Sequence, residues 1–143
     1  MRPVIHVVAA LISDPEGRLL LVRKRGTERF MQAGGKPEHG ETPRAALVRE
    51  LQEELGLDVA EDAPRGLGPF VTAAANEPGH ALEADVFALG LDHATARSLG
   101  ARAELEEIRW ATAAECLALG DRLAPLARLL LERAPETRRS DAR

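Results

Sequence analysis

Three glutamates, Glu50, Glu53 and Glu54, are spaced so that an α-helix would carry all of them on one face. Glu54 borders the leucine stripe of the same helix, so this edge is predicted to be partly buried. Carboxylates that repel one another near a core need a positive partner. A hard divalent cation such as Mg²⁺ suits them, because it takes oxygen ligands and shares carboxylates with substrate phosphates. The alternative is a solvated, glutamate-rich helix face.

The residues that precede the glutamates suit the same chemistry. Arg49 lies four residues before Glu53, so it could pair with that carboxylate or hold the preceding loop. Gly34 and Gly35 carry no side chain, so the backbone there can approach a metal ion or a phosphate closely. The segment 35–57, with Gly34 before it, is therefore the candidate for binding a metal ion and a phosphate.

The helix that must carry these glutamates has clear start and stop signals. Thr42 is predicted to be its N-cap and Pro43 its first residue. The helix is predicted to run to about Leu55 and to stop at Gly56. One face is predicted to be core, formed by Leu47, Val48, Leu51 and Leu55.

The rest of the chain reads as a mixture of strands and helices. Residues 4–12 and 18–23 are predicted to form a hairpin across a turn at 13–17. A short strand is predicted at 30–33, another at 57–60, a second hairpin from 67–75 and 81–89, and a strand at 106–110. Thr112 is predicted to cap a helix that runs to residue 117, and 123–133 is an amphipathic helix. Residues 92–102 are left unassigned.

Length and composition predict one domain. The chain has 143 residues, of which 45% are hydrophobic and 29% charged. The domain is expected to span 1–134, with a frayed polar tail at 135–143. The net charge of −4 argues against a general nucleic-acid binder. The longest apolar run, residues 7–12, is far short of the roughly 20 residues that cross a bilayer.

Cysteine usage bears on the compartment. Cys116 is the single cysteine, which excludes an internal disulfide framework and a cysteine-based zinc site. The first residues also lack the pattern of a signal peptide. Both observations favour a cytoplasmic location.

The segment from Gly35 to Leu57 reads GKPEHGETPRAALVRELQEELGL. It resembles the Nudix box, the signature G-x5-E-x7-R-E-U-x-E-E-x-G-U of the Nudix hydrolases, in which U is a bulky aliphatic residue. The positions that match are Gly35, Glu41, Arg49, Glu50, Leu51, Glu53, Glu54, Gly56 and Leu57. The sequence of this segment is especially similar to that of MutT-like members. The resemblance implies an α+β fold, an α/β/α sandwich whose mixed β-sheet is flanked by helices.

The resemblance also implies a role for each glutamate. Glu53 and Glu54 are expected to be the main metal ligands, and Glu50 a third ligand or the general base. The Gly35 carbonyl is expected to complete the metal shell. Glu41 and Arg49 are expected to orient the box, and Glu41 could bind the metal through water. The expected ion is Mg²⁺, with Mn²⁺ as a substitute.

Members of the family also recruit residues from outside the box. Glu104, in an acidic run before the strand at 106–110, is the candidate for an extra base or metal ligand. Its alternative reading is a solvated loop glutamate.

The reaction that the resemblance implies is cleavage of a phosphoanhydride bond in a nucleoside triphosphate or another nucleoside diphosphate derivative, as in MutT-like nucleotide clean-up. One alternative is an RNA 5′-end pyrophosphohydrolase, which an arginine surface formed by Arg23, Arg25, Arg29 and Arg44 would serve. Another is a non-catalytic nucleotide-sensing module, although such modules usually lose box glutamates that this chain keeps. Many relatives form homodimers, and nothing in the sequence decides that point.

Substrate choice is expected to lie outside the box. Phe30 could stack on a base or belong to the core. Gln32 and Asn76 could read a base edge, against the alternative of strand and turn roles. Lys36 and Arg23 could contact phosphates, against the alternative of a solvated surface.

Overall fold

Six strands form one mixed sheet in the computed structural model, which describes residues 3–133. The sheet order is β4-β5-β1-β2-β6, and β3 pairs with β1. The strands are β1 (Val4–Ser13), β2 (Leu19–Lys24), β3 (Ala33–Gly35), β4 (Arg65–Ala73), β5 (Ala81–Gly90) and β6 (Leu105–Ala111). The helices are α1 (Pro43–Leu55), α2 (His93–Ser98), α3 (Ala113–Ala118) and α4 (Pro125–Glu132). The predicted tail at 135–143 lies outside the described residues.

The sheet opens between β1 and β2, and β3 fills part of the gap. β1 runs parallel to β5 along its whole length, from Val4 opposite Ala81 to Ser13 opposite Gly90. Its pairing with β2 is limited to Ser13 opposite Leu19, and β3 pairs antiparallel with the middle of β1. This split places the two glycines of β3 at a cleft in the sheet.

Helix α1 forms as its start and stop signals predicted. The Thr42 hydroxyl accepts a hydrogen bond from the N–H of Ala45, and Gly56 ends the helix in the left-handed conformation, with φ 70°. The three leucines of its apolar face, Leu47, Leu51 and Leu55, are fully buried. They pack with Val8, Ala10 and Ile12 of β1 in one core cluster.

The alternate residues of β1 face a second helix. Ala9 packs with Phe70 and Val86 and with Leu126 and Leu130 of α4. Because successive side chains of a strand point to opposite faces, β1 lies between α1 and α4. The predicted sandwich with a mixed sheet flanked by helices is therefore confirmed.

Two local predictions need correction, and one segment without a prediction forms a helix. Residues 57–60 form no strand, because Leu57 turns into the core as the chain leaves α1. The short strand begins at Ala33, whereas Phe30 and Met31 make only single bridges, to Leu123 and to β2. The unassigned segment 92–102 contains α2, which Asp92 caps. Among the described helices, none is both long enough and apolar enough to cross a membrane.

Candidate active site

The glutamate face of α1 is partly buried, as its position beside the leucine stripe predicted. Glu54 is 3% exposed and Glu50 is 9% exposed, while the side chain of Glu53 is half-exposed. Two carboxyl groups therefore lie in an environment that disfavours negative charge.

Glu54 is the most strongly perturbed of these groups. Burial raises its pKa to about 8, and the neighbouring charges of Glu50 and Glu104 act in the same direction. The N–H of Gly34 donates a hydrogen bond of 3.1 Å to Glu54 Oε1, which offsets part of the effect. A cation placed here would restore the ionised carboxylate.

Arg49 ties the loop before α1 to the glutamates. Its Nε and Nη2 each donate a hydrogen bond of 2.8 Å to the Glu41 carboxylate, and its Nη1 lies 2.6 Å from Glu50 and 3.4 Å from Glu53. Nη2 also donates to the Lys36 carbonyl at 3.2 Å. A planar guanidinium suits this two-pronged contact, which a lysine could not reproduce.

The pKa values around Arg49 follow from these contacts. The pKa of Glu41 is lowered to about 2, chiefly by its hydrogen bonds from Arg49 and also by one of 2.7 Å from the Glu38 N–H. The pKa of Glu50 is raised by burial, and the Arg49 guanidinium limits the rise. Glu41 is thus a fixed anion that orients Arg49, while burial and the Arg49 guanidinium act on the pKa of Glu50 in opposite directions.

The glycine pair is required by close packing. A Cβ at Gly35 would overlap the Glu50 carboxylate. A Cβ at Gly34 would overlap the Val8 carbonyl, and its φ of 152° also favours glycine. The missing side chain at Gly35 lets β3 approach Glu50, and the missing side chain at Gly34 lets β3 pack against β1.

The donor set fits a hard divalent cation in its chemistry. Carboxylate oxygens of three glutamates and the carbonyl of Gly35 are oxygen ligands of the kind that Mg²⁺ prefers. Within residues 3–133, no three acidic, histidine or cysteine side chains are already grouped around one point as a metal shell. Glu50 and Glu53 are instead drawn towards Arg49. A bound cation would compete with Arg49 for these two carboxylates.

A cavity of about 430 Å³ adjoins the glutamates. On the α1 side it is lined by Glu50, Glu54, Glu104 and Lys36, and on the α4 side by apolar groups that include Val7, Leu82 and Leu126. Its volume lies in the range of small-ligand sites. A charged end next to an apolar end suits a ligand with phosphates and a base.

The structure brings some of the predicted substrate residues to this cavity. Lys36, Gln32 and Asn76 contribute to its wall, as does Glu104. Glu104 follows Ala103, a non-glycine residue with φ 54°, and its carboxylate lies 3.8 Å from Lys24 Nζ. The proximity of Lys24 was missed, because it depends on the long-range pairing of β2 with β6.

Two predicted substrate residues lie elsewhere. Phe30 is fully buried, and the guanidiniums of Arg109 and Arg122 cover its ring at 4.3 and 5.3 Å. Its role is therefore in the core and not in stacking on a base. Arg23 pairs with Glu107 at 2.9 Å and donates to the Thr27 carbonyl, away from the cavity wall.

One contact that shapes the cavity mouth was also missed. Arg29 Nη1 donates a hydrogen bond of 2.7 Å to the Ala75 carbonyl. This contact ties the loop 74–80, which carries Asn76, to the loop before β3. The partners are 46 positions apart in the sequence, so no local sequence signal predicts the contact.

Comparison with known proteins gives a family match over almost the whole chain. Residues 3–133 match the NUDIX domain. An 8-oxo-dGTP diphosphatase of Proteus vulgaris is 39% identical over 61 residues, which are 40% of this chain and 54% of that protein. An RNA pyrophosphohydrolase of Halorhodospira halophila is 39% identical over 59 residues, 41% of this chain and 33% of that protein. The chain thus spans about half the length, or less, of these curated relatives.

A solved structure gives the same fold. The crystal structure of a MutT protein from Methanosarcina mazei Go1 superposes with a TM-score of 0.74 at 22% identity, over 96% of each chain. The element order and the sandwich described above are therefore shared with that protein.

Proposed function

Because the chain belongs to the NUDIX domain family, we propose that it hydrolyses a phosphoanhydride bond in a nucleoside triphosphate or another nucleoside diphosphate derivative. The observation that carries this proposal is the pair of buried glutamates, Glu50 and Glu54, at the charged end of a cavity whose other end is apolar. MutT-like nucleotide clean-up is the subtype we favour, since an 8-oxo-dGTP diphosphatase is among the relatives.

Members of this family generally need a divalent metal ion. We infer that Glu50, Glu53, Glu54 and the Gly35 carbonyl would hold it, with Glu41 acting through water, and that the ion is Mg²⁺ or, as a substitute, Mn²⁺. A bound divalent ion supplies neutralisation of phosphate charge and an acidified water. The buried, raised-pKa carboxyl of Glu54 supports this assignment, because it lacks a charged hydrogen-bond partner among residues 3–133.

The other side chains would orient the substrate and move a proton. Arg49 fixes the loop 36–41 against α1 and so holds the backbone that frames the phosphates. Where Glu50 is not itself a metal ligand, it is the candidate to accept a proton from the attacking water, because its carboxyl lines the cavity beside Arg49. Glu104, at the same charged end of the cavity, is the second candidate for that role or for a further ligand. Lys36 would contact phosphate, and Asn76 the base.

The RNA-end alternative gains less support from the structure. Each of the four arginines proposed to form a basic surface donates a side-chain hydrogen bond to a backbone carbonyl of the chain. These contacts leave fewer donors for an RNA backbone. A small nucleotide that enters the cavity therefore remains our first choice of substrate.

The test is a substrate panel with purified protein and Mg²⁺: canonical and oxidised deoxynucleoside triphosphates, ribonucleoside triphosphates, ADP-ribose, nucleotide sugars and 5′-triphosphate RNA. We expect one nucleotide class to be cleaved, and Glu53→Gln to reduce kcat by orders of magnitude. Glu106→Gln, which removes an exposed carboxylate of β6, is the matched control. Absence of turnover with either Mg²⁺ or Mn²⁺ would overturn the proposal.

Two further points belong with this function. A nucleotide substrate and a free, buried Cys116 suit a cytoplasmic site of action. Whether the chain forms a homodimer, as many relatives do, was left open by the sequence, and light scattering would decide it.

A further inference from the structure

Gln32 is a buried polar residue that the fold leaves incompletely satisfied. It lies between Phe30 and β3, and the residue is 7% exposed. Its Oε1 atom has no hydrogen-bond partner within residues 3–133. A buried amide without a partner is costly, so such groups are rare and call for an explanation.

The position of Gln32 connects this amide to the cavity. Ala33 faces the core on the α1 side, and Gln32, its neighbour in an extended segment, takes the opposite face. There the side chain contributes to the cavity wall beside apolar groups such as Val7 and Leu126. Asn76 and Glu77, which line the same cavity, are exposed on the 74–80 loop. Gln32 thus supplies a buried polar group to an otherwise apolar wall.

We propose that the Gln32 amide contacts the base of the bound nucleotide and sets the base preference of the enzyme. This proposal rests on the proposed function. A half-turn about the terminal side-chain bond exchanges the amide oxygen and nitrogen, so the group can offer either an acceptor or a donor. The edge of a nucleobase carries both hydrogen-bond donors and acceptors. The apolar wall can only match the shape of the base and cannot form hydrogen bonds with it. A bound base would provide the hydrogen bond that the folded chain alone does not.

The test uses Gln32→Met, which keeps the length of the side chain and removes its hydrogen bonding. Gln52→Met, on the exposed side of α1, is the matched control. Kinetics over the nucleotide panel should show KM for the preferred base raised about 3- to 10-fold, with kcat nearly unchanged and with weaker discrimination between bases. The unfolding midpoint of Gln32→Met without ligand should equal or exceed that of the natural protein, because an unsatisfied amide is gone.

A binding measurement separates this proposal from the proposed function. Thermal shifts are compared for α,β-methylene nucleoside triphosphates and for inorganic tripolyphosphate, each with Mg²⁺. The excess shift given by the nucleotide measures the base contribution, and Gln32→Met should reduce it. If the natural protein turns over no nucleotide but this reduction is seen, the hydrolase function fails and the base contact stands.

Two outcomes would overturn the base contact. One is a base preference and an excess shift that are the same in Gln32→Met and in the natural protein. The other is a variant with a lower unfolding midpoint that loses nucleotide and tripolyphosphate binding equally, which would mean that Gln32 is structural.

Discussion

The N–H of Gly34 lies 3.1 Å from Oε1 of Glu54 and donates a hydrogen bond that joins the short strand β3 to the last turn of α1. This bond aims a carboxyl group at the cleft in the sheet and leaves it almost fully buried. The backbone donor does not cancel the effect of burial, since the pKa of Glu54 still rises to about 8.

The metal-free protein should therefore become less stable as pH rises from about 4.5 to about 8. The folded-state pKa of Glu54 is raised, so the stability of its neutral form is present below pH 4.5 and is lost as pH rises through the folded pKa. Glu54→Gln stays neutral and can still accept from Gly34. We expect it to be more stable than the natural protein by a few kcal/mol at pH 8 and by little at pH 4.5.

Chemical denaturation across this pH range, with chelator present, measures the difference, and Glu106→Gln is the control. Adding Mg²⁺ at pH 8 should stabilise the natural protein and not Glu54→Gln. A stability difference that is the same at every pH would contradict the prediction.

Arg49→Lys should damage both the fold of the loop and the reaction. Lysine cannot make the two parallel bonds to Glu41, and it leaves Glu50 with a weaker partner. We expect the free energy of unfolding to fall by about 1–3 kcal/mol and kcat to fall at least roughly 10-fold. Arg97→Lys, at an exposed position of α2, should change neither quantity. Full activity in Arg49→Lys would show that a point charge is sufficient there.

Gly35→Ala should disable the site while the fold persists. The added methyl would occupy the place of the Glu50 carboxylate, so Glu50 must turn away. We expect kcat to fall by about 100-fold or more, while circular dichroism and the unfolding transition report a folded protein. Gly100→Ala is the matched control, because its Cβ would meet nothing within 4 Å, and it should stay within about 0.5 kcal/mol of the natural protein. An active Gly35→Ala variant would refute the close-packing argument.

Arg29→Met should loosen substrate binding without altering the chemical step. Loss of the bond to the Ala75 carbonyl releases the 74–80 loop from the loop before β3. We expect KM to rise several-fold at nearly constant kcat, and amide hydrogen exchange to accelerate within 74–80. Arg128→Met removes a similar bond of 2.8 Å, to the Gly120 carbonyl, and should leave that exchange unchanged. Equal effects of the two variants would indicate general destabilisation.

The sequence predicted the features that depend on residues close together in the chain, such as helix caps. Thr42 and Gly56 bound α1 as expected, because capping is settled within one turn of the chain. The spacing of the glutamates also predicted the buried edge at Glu54. What the sequence left open is decided by distant contacts. Phe30 could equally have been a base-stacking residue, and its burial depends on β6 and on the turn before α4.

Distant contacts also decide the environments of Arg23 and Gln32. The sequence allowed Arg23 to bind phosphate. In the fold, Arg23 pairs instead with Glu107 of β6, which is 84 positions away in the sequence. Gln32 was a candidate for contacting the base. That its Oε1 atom lacks a hydrogen-bond partner becomes known only once the folded cavity wall has been described. Pairing of strands far apart in the chain sets both outcomes, and no local pattern around Arg23 or Gln32 identifies the distant residues that they will face.

The opposite faces of β1 support different parts of the site, which affects how the site can change by mutation. Val8 and its alternates support the helix that carries the glutamates, whereas Val7 and Ala9 border the apolar half of the cavity. A mutation at Val7 or Ala9 can change the shape of the cavity while the residues that pack behind α1 and its glutamates stay unchanged. Under the proposed function, single substitutions on this face can therefore change the nucleotide preference while the helix that carries the glutamates stays in place.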